Sequence, residues 1–296
     1  MTKKESINYV PFKQKLKGYI KHPLSLFLLL LVVSAAVITV GLVVIIIGHL
    51  LIKGIPHLKP ELFDWKYTTD NLSMMPALIN TFTMVFLTLL IAVPVGLFSA
   101  IYLVEYAKKG NKLVSIIRVT TETLAGIPSI VFGLFGFIVS RTMIFQSYSM
   151  IGGALTLSMM VLPIIIRTTE EALLSVPDLF REGSFGLGAG KLRTITKIVL
   201  PYAVPGILAG VILSIGRIVG ETAALIFTSG TIPGVPEKLT QSGRTLSLHL
   251  FELIQNPQIP TDRYFNAAYA TAVVLLALVV GINALSSFVA KKLASK

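Results

Sequence analysis

The sequence predicts an all-α, polytopic membrane protein with six transmembrane helices and both termini cytoplasmic. Three observations predict it: a composition too apolar for a soluble chain, charge-free runs of membrane-spanning length, and a lopsided distribution of lysine and arginine. Of 296 residues, 54% are hydrophobic and 14% charged, with a mean hydropathy of +0.80. Soluble domains carry about 25% charged residues. Charge is absent from 24–52, 72–104, 142–166 and 265–290, runs of 29, 33, 25 and 26 residues. A spanning helix needs about 20 apolar residues, so each run is read as one span.

Two more spans carry charges: roughly 114–140, with Arg118 and Glu122, and roughly 199–228, with Arg217 and Glu221. Lysine and arginine concentrate in cytoplasmic loops. With the N-terminus inside, 18 of the 26 basic residues fall on inside segments and seven outside, Arg217 lying within the membrane. The net charge of +12 is then a consequence of topology, and nucleic acid is not needed as a partner to explain it. The surroundings are membrane lipid.

Residues 1–52 read as a basic tail followed by an anchor helix, whose apolar run is too long for a signal-peptide core and lacks a small-residue cleavage pattern. Residues 72–292 hold the remaining five spans. Spans two and three are joined by the short basic "EYAKKGNK", and three and four by an outside turn near "SRTMIFQSYSM". The segment 167–200 has no run long enough to span and is assigned to the cytoplasm. The Pro-, Gly- and Gln-rich 229–264 forms an external loop. Pro94, Pro128, Pro163 and Pro205 punctuate the spans, as membranes allow where neighbours satisfy the freed backbone groups. Gly206/Gly210 and Gly216/Gly220 have the small-xxx-small spacing that lets helices approach closely, which suggests a central fifth helix.

Several chemistries are excluded. The chain has no cysteine and four scattered histidines, so no metal-ligand spacing exists. No nucleophile–base constellation accompanies the intramembrane glutamates, so the chain reads as a non-enzyme. In "REGSFGLGAGKLRTITKIVLP", 181–201, the "GAGKL" is no phosphate loop: Phe185 stands at the first glycine position and Leu192 at the hydroxyl position. The stretch reads instead as two short amphipathic helices about a turn. Gly186, Gly188 and Gly190 supply the bend, and Phe185, Leu187, Leu192 and Ile195 supply apolar contacts. Without a lipid span to bury it, this element needs a protein partner.

The same stretch resembles the cytoplasmic coupling loop of bacterial ABC importer permeases, E-A-A-x3-G-x9-I-x-L-P. Glu182, Gly188, Ile198, Leu200 and Pro201 match with every spacing kept, while Gly183 and Ser184 replace the alanines. Both replacements are small, though glycine lowers helix propensity by up to about 1 kcal/mol. "ETLAGIPSIVFGLFG" (122–136), "GRIVGETAALIFTSG" (216–230) and the closing 267–293 resemble the A-type permease of phosphate ABC importers. That family usually has proline two residues after the threonine of "GET"; Ala224 stands here.

The resemblance implies an importer-type ABC permease fold in a bacterial inner membrane. It also implies a sister phosphate permease, two copies of an ATP-binding subunit that hold ATP and Mg, and an extracytoplasmic phosphate-binding protein. This chain itself would carry no cofactor. The runner-up is the same architecture for another oxyanion, such as molybdate or sulfate, or another solute. Coupling to the ATPase falls to Glu182, Gly183, Gly188, Ile198, Leu200 and Pro201.

A mid-bilayer charge costs roughly 2.5–3.5 kcal/mol on insertion scales, so Arg217 and Glu221 need a reason. One helical turn apart, they lie on one face and can pair. Either the pair neutralises itself and locks the bundle, or it lines the translocation route. A guanidinium matches phosphate oxygens in a bidentate fork, and carboxylates would speed release by repelling the dianion. Glu122 belongs either to that route or to the cytoplasmic interface.

Overall fold

The computed structural model describes residues 22–108, 110–140, 147–255 and 262–294. They are helical almost throughout, with no strand among them. The basic tail 1–21, the turn 141–146 and residues 256–261 lie outside the described residues. The chain divides into two units, Met1–Lys53 and Gly54–Lys296.

The first unit is described by helix α1 (Pro23–Gly54), a 32-residue helix. Leucine, valine and isoleucine cover every face, and none of its most apolar stretch is buried. At about 1.5 Å per residue it runs well past a hydrocarbon core ~30 Å thick.

The second unit holds α2 (Met75–Ile101), prolonged by a π-helical turn (Tyr102–Tyr106), and α3 (Lys112–Ala125) followed by α4 (Ser129–Val139). Next come α5 (Met150–Leu174), α6 (Asp178–Gly186), and α7 (Lys191–Thr194) with a second π-helical turn (Ile195–Val199). Then follow α8 (Leu200–Gly220), α9 (Ala223–Thr228), α10 (Leu246–Gln255) and α11 (Asp262–Ala294). Among the described residues five helices are long and apolar enough to cross a membrane, or six if one bent pair is counted as a span. The sixth expected span, 114–140, is no single helix: α3 and α4 meet at 105°.

The break at 126–128 has a local cause. Ile127 precedes Pro128, which disfavours helical backbone there. The Gly126 and Ile127 amides bond back only three residues, to the Thr123 and Leu124 carbonyls at 3.1 and 3.2 Å. Pro94, Pro163 and Pro205, expected to punctuate their spans, lie inside continuous helices instead.

The centre of the unit is α5, two-thirds of whose spanning stretch is buried. Small residues let its neighbours close in. A Cβ on Gly96 would approach the Ile165 side chain to 2.6 Å, and one on Gly206 would meet Ala172 at the same distance. Gly210 is likewise packed against Thr168, whereas Gly220 faces open space and Gly216 nearly so. Only the first glycine pair on the fifth span is thus a packing pair. Several hydroxyls in this core bond back along their own helices, as in Thr156 to the Gly152 carbonyl at 2.8 Å and Ser214 to Gly210 at 2.9 Å, whereas the buried hydroxyls of Thr88 and Thr169 have no partner among the described residues.

One end of the unit is capped by 55–73 and by α10, which lies in a stretch read as irregular loop. Leu246, His249 and Leu253 are its buried stripe. The buried Arg244 guanidinium sits over the Tyr67 ring, 4.4 Å from its centre. Burial lowers its pKa, and the Tyr67 contact opposes that. His249 is fully buried, edge-on to Tyr67. Burial first, then the Arg244 charge, push its pKa down to about 3, weakly opposed by the nearby Leu72 main chain. The opposite end carries α6, α7 and both π-helical turns.

Candidate functional site

At that end α3, α5 and α8 enclose a cleft of about 550 Å³, lined among others by Arg118, Glu122, Arg167, Glu170 and Leu213. Arg118 pairs with Glu170 across the two helices, and Arg167 pairs with Glu171 along one helix at 3.1 Å. Glu122 is exposed, so the structure gives it to the cleft wall; no partner for it occurs among the described residues. The cleft's two guanidiniums are therefore already neutralised.

Arg217 lies one turn beyond Leu213 on α8, on the same helix face, but it is not among the residues that line the cleft. It is half-buried and makes no ion pair among the described residues. Of the two alternatives for Arg217 and Glu221, the mutual ion pair does not form. The reason is the helix end: α8 stops at Gly220, and Glu221 turns to extended backbone at φ −72°, ψ 129°. An i,i+4 argument fails once the second residue has left the helix. Glu221 is 9% exposed, and its Oε1 accepts the Ala224 amide at 3.1 Å. Its carbonyl accepts the Ser247 hydroxyl at 2.6 Å. Its carboxylate caps α9, and Arg217 is left with an uncommitted fork. The two candidate residues are neighbours in sequence with different tasks.

The 181–201 segment takes the expected form of two short helices about a turn. Gly188 adopts φ +81°, which an L-residue disfavours. The Ala189 amide reaches the Ser184 carbonyl at 3.1 Å and the Gly188 amide reaches Phe185 at 2.9 Å, the paired bonds of a Schellman cap. Ser184, one of the two alanine replacements, is buried and shares a 2.8 Å hydroxyl bond with Thr194 that ties α6 to α7. Gly183 has open space where a Cβ would go.

Glu182 is exposed, without a partner among the described residues. Beside it Leu179, Leu187 and Leu192 are 75%, 91% and 68% exposed, and Phe185 is 47% exposed. Ile195, expected among these outward contacts, is instead buried in the chain's own core. Of the closing pattern, Ile198 and Leu200 are half-buried and Pro201 exposed. Pro201 has no amide to continue the ladder, and the turn before it is π-helical. Among the described residues no three acidic or histidine side chains gather to hold a metal ion.

Sequence reasoning named Arg118 only as a charge within a span and gave no site role to it, Glu170, Arg181 or Glu105. Glu105 was visible as the charge that ends the longest apolar run, and Arg181 as the neighbour of Glu182.

Residues 92–295 match the binding-protein-dependent transport system inner membrane component family. The probable ABC transporter permease protein YqgI of Bacillus subtilis is 31% identical over 280 residues, covering 87% of this chain and 93% of its own. The phosphate transport system permease protein PstA of Yersinia pestis is 32% identical over 269 residues, 88% of this chain and 89% of its own. PstA of Mycobacterium leprae is 35% identical over 234 residues, 75% and 74% of the two chains. Among solved structures, a bacterial ABC transporter involved in import of the acidic polysaccharide alginate superposes with a TM-score of 0.65 at 17% identity, over 94% of this chain and 99% of that one. At such identity the likeness speaks for the fold.

Proposed function

The chain belongs to the binding-protein-dependent transport system inner membrane components, the permease parts of ABC importers, and we propose that the solute it passes is inorganic phosphate. The observation that carries this reading is Arg217: a half-buried guanidinium in a spanning helix, committed to no carboxylate among the described residues. An unpaired cation in the membrane is expensive, so a bundle that retains one gains from an anionic visitor. Phosphate offers oxygens at the spacing of the guanidinium fork. In the cleft both guanidiniums are paired and Glu122 is left over, so an anion meets no deep trap there, which favours release. The PstA relatives support phosphate as the anion.

In this reading the coupling-segment end faces the cytoplasm and the α10 cap faces outward. Two ATP-binding subunits dock on Glu182 and the exposed leucines, a sister permease completes the pathway, and a phosphate-binding protein delivers at the cap. ATP and Mg reside in the partner subunits, and this chain makes and breaks no bonds. Labelled phosphate uptake into vesicles holding the full complex tests the proposal. Phosphate should saturate uptake, with molybdate and sulfate competing poorly. Strong competition by either oxyanion would transfer the assignment to it. A wild-type chain that retains no ATP-binding subunit after mild detergent extraction would overturn the importer assembly.

A further inference from the structure

Arg181 stands one residue ahead of Glu182, yet it faces the other way. Its side chain is 14% exposed and that of its partner Glu105 is 8% exposed. Every guanidinium nitrogen is committed. Nε and Nη2 both donate to Glu105 Oε1, at 3.1 and 2.8 Å. Nη2 also donates to the Leu173 carbonyl at 2.9 Å. Nη1 donates to the Val176 carbonyl at 2.7 Å and to Asp178 Oδ1 at 3.2 Å. Leu173 belongs to the last turn of α5, whose carbonyls have no further helical amide to accept from. Glu105 belongs to the π-helical turn that prolongs α2.

One planar fork therefore joins three elements: the coupling helix α6, the end of α5 and the end of α2. Lysine could not reproduce this, because an ammonium has no rigid fork with which to hold a carboxylate and two carbonyls together. A second tie reaches the same π-helical turn, with Lys191 Nζ 4.8 Å from the Tyr106 ring centre. π-helical turns recur at functional sites in helices, and this one receives both contacts from the coupling segment.

We propose that Arg181 is the positioning residue that makes α6 move together with the ends of α5 and α2, so that displacement of the docked segment reaches the membrane helices. The inference rests on the importer reading above. Arg181 is too enclosed to be a docking residue, so it acts between docking and transport. Its loss should leave partner association intact and separate ATP hydrolysis from solute movement.

The test uses the full complex in proteoliposomes, comparing the wild type with Arg181→Gln, Arg181→Lys, Glu105→Gln and the docking variant Glu182→Lys. Three quantities are read: ATP-binding subunit retained per permease, ATP hydrolysed, and phosphate moved per ATP. Arg181→Gln should keep the first at wild-type level and lower the last by about tenfold or more, given the charge-assisted bonds removed. Arg181→Lys and Glu105→Gln, which keep part of the fork's contacts, should fall between. If Arg181→Gln fails to accumulate, those two milder variants decide. Wild-type phosphate moved per ATP in Arg181→Gln, or in both milder variants, overturns the proposal. So does a loss of subunit retention equal to that of Glu182→Lys. A wild-type complex that moves another oxyanion corrects the solute alone, and the same ratios are then read with that anion.

Discussion

Replacing Arg217 by glutamine removes a charge and a fork from the α8 face that also carries Leu213, and leaves Glu221 where it is. The structure separates the two residues: Glu221 bonds to the Ala224 amide, and Arg217 has no carboxylate partner among the described residues. Hydrogen bonds to charged groups contribute about 1.5–3 kcal/mol, so losing the fork's hold on a dianion should slow uptake roughly ten- to hundredfold. Arg217→Lys keeps the charge and should lose less. Glu221→Gln keeps an oxygen acceptor for Ala224 and exchanges a charged bond for a neutral one, a change of about 1 kcal/mol. Uncoupled sites add to within about 0.5 kcal/mol. The double variant should therefore be at least as impaired as Arg217→Gln alone. Were the two a mutually neutralising lock, removing both charges would restore most of what either single variant loses. Initial rates of labelled phosphate uptake, normalised to permease in the membrane, decide between them. Rescue in the double variant would refute both the geometry and the pathway assignment.

Gly183→Ala should be tolerated and raise the stability of α6 by up to about 1 kcal/mol, since a methyl meets nothing there and alanine favours the helix. Gly188→Ala forces a Cβ into left-handed backbone at φ +81°, at roughly 1–2 kcal/mol, and uptake should fall at normal expression; unchanged uptake there would refute the coupling turn. His249, buried with a pKa near 3, stays neutral in the folded cap, while the opened cap regains an ordinary value of about 6.5. The folded pKa is the lower one, so the contribution is fully present above about pH 6.5 and is lost as pH falls toward 3. Between pH 7 and 5 the cap should lose about 2 kcal/mol against opening, read by hydrogen exchange in α10, and His249→Leu should flatten that slope. Deleting residues 1–50 behind a substitute signal should leave ATP-binding-subunit association intact, because the coupling segment lies wholly in the second unit; loss of association would count against that division.

The spans were legible because lipid imposes one rule on all of them: about 20 apolar residues without charge. Each of the four charge-free runs supplies the apolar stretch of one long helix for that reason. The pair of short helices about Gly188 was legible because that glycine is punctuation whose backbone only glycine adopts easily. α10 was hidden by its surroundings. Its stripe of Leu246, His249 and Leu253 has helical spacing, but the Pro- and Gly-rich approach to it reads as loop. Contacts between distant elements had no local signal at all. Arg181 and Glu105 are 76 positions apart, and nothing in either neighbourhood names the other.

The helix breaks show most clearly why residue type alone misleads in a membrane. Of four prolines inside expected spans, Pro128 coincides with a break, and the others sit inside continuous helices, Pro163 buried, Pro205 half-buried and Pro94 exposed. Meanwhile the fifth span breaks after Gly220 with no proline at the break. What makes that break tolerable is a cap: Glu221 takes up the Ala224 amide, and Ser247 takes up the Glu221 carbonyl. Ala224 is the position at which this chain departs from the usual proline. Proline there would have no amide to give, and the Glu221 carboxylate would lose its hydrogen bond to the Ala224 amide. The departure thus bears on the break itself: with alanine at 224, the backbone amide is there to occupy the Glu221 carboxylate.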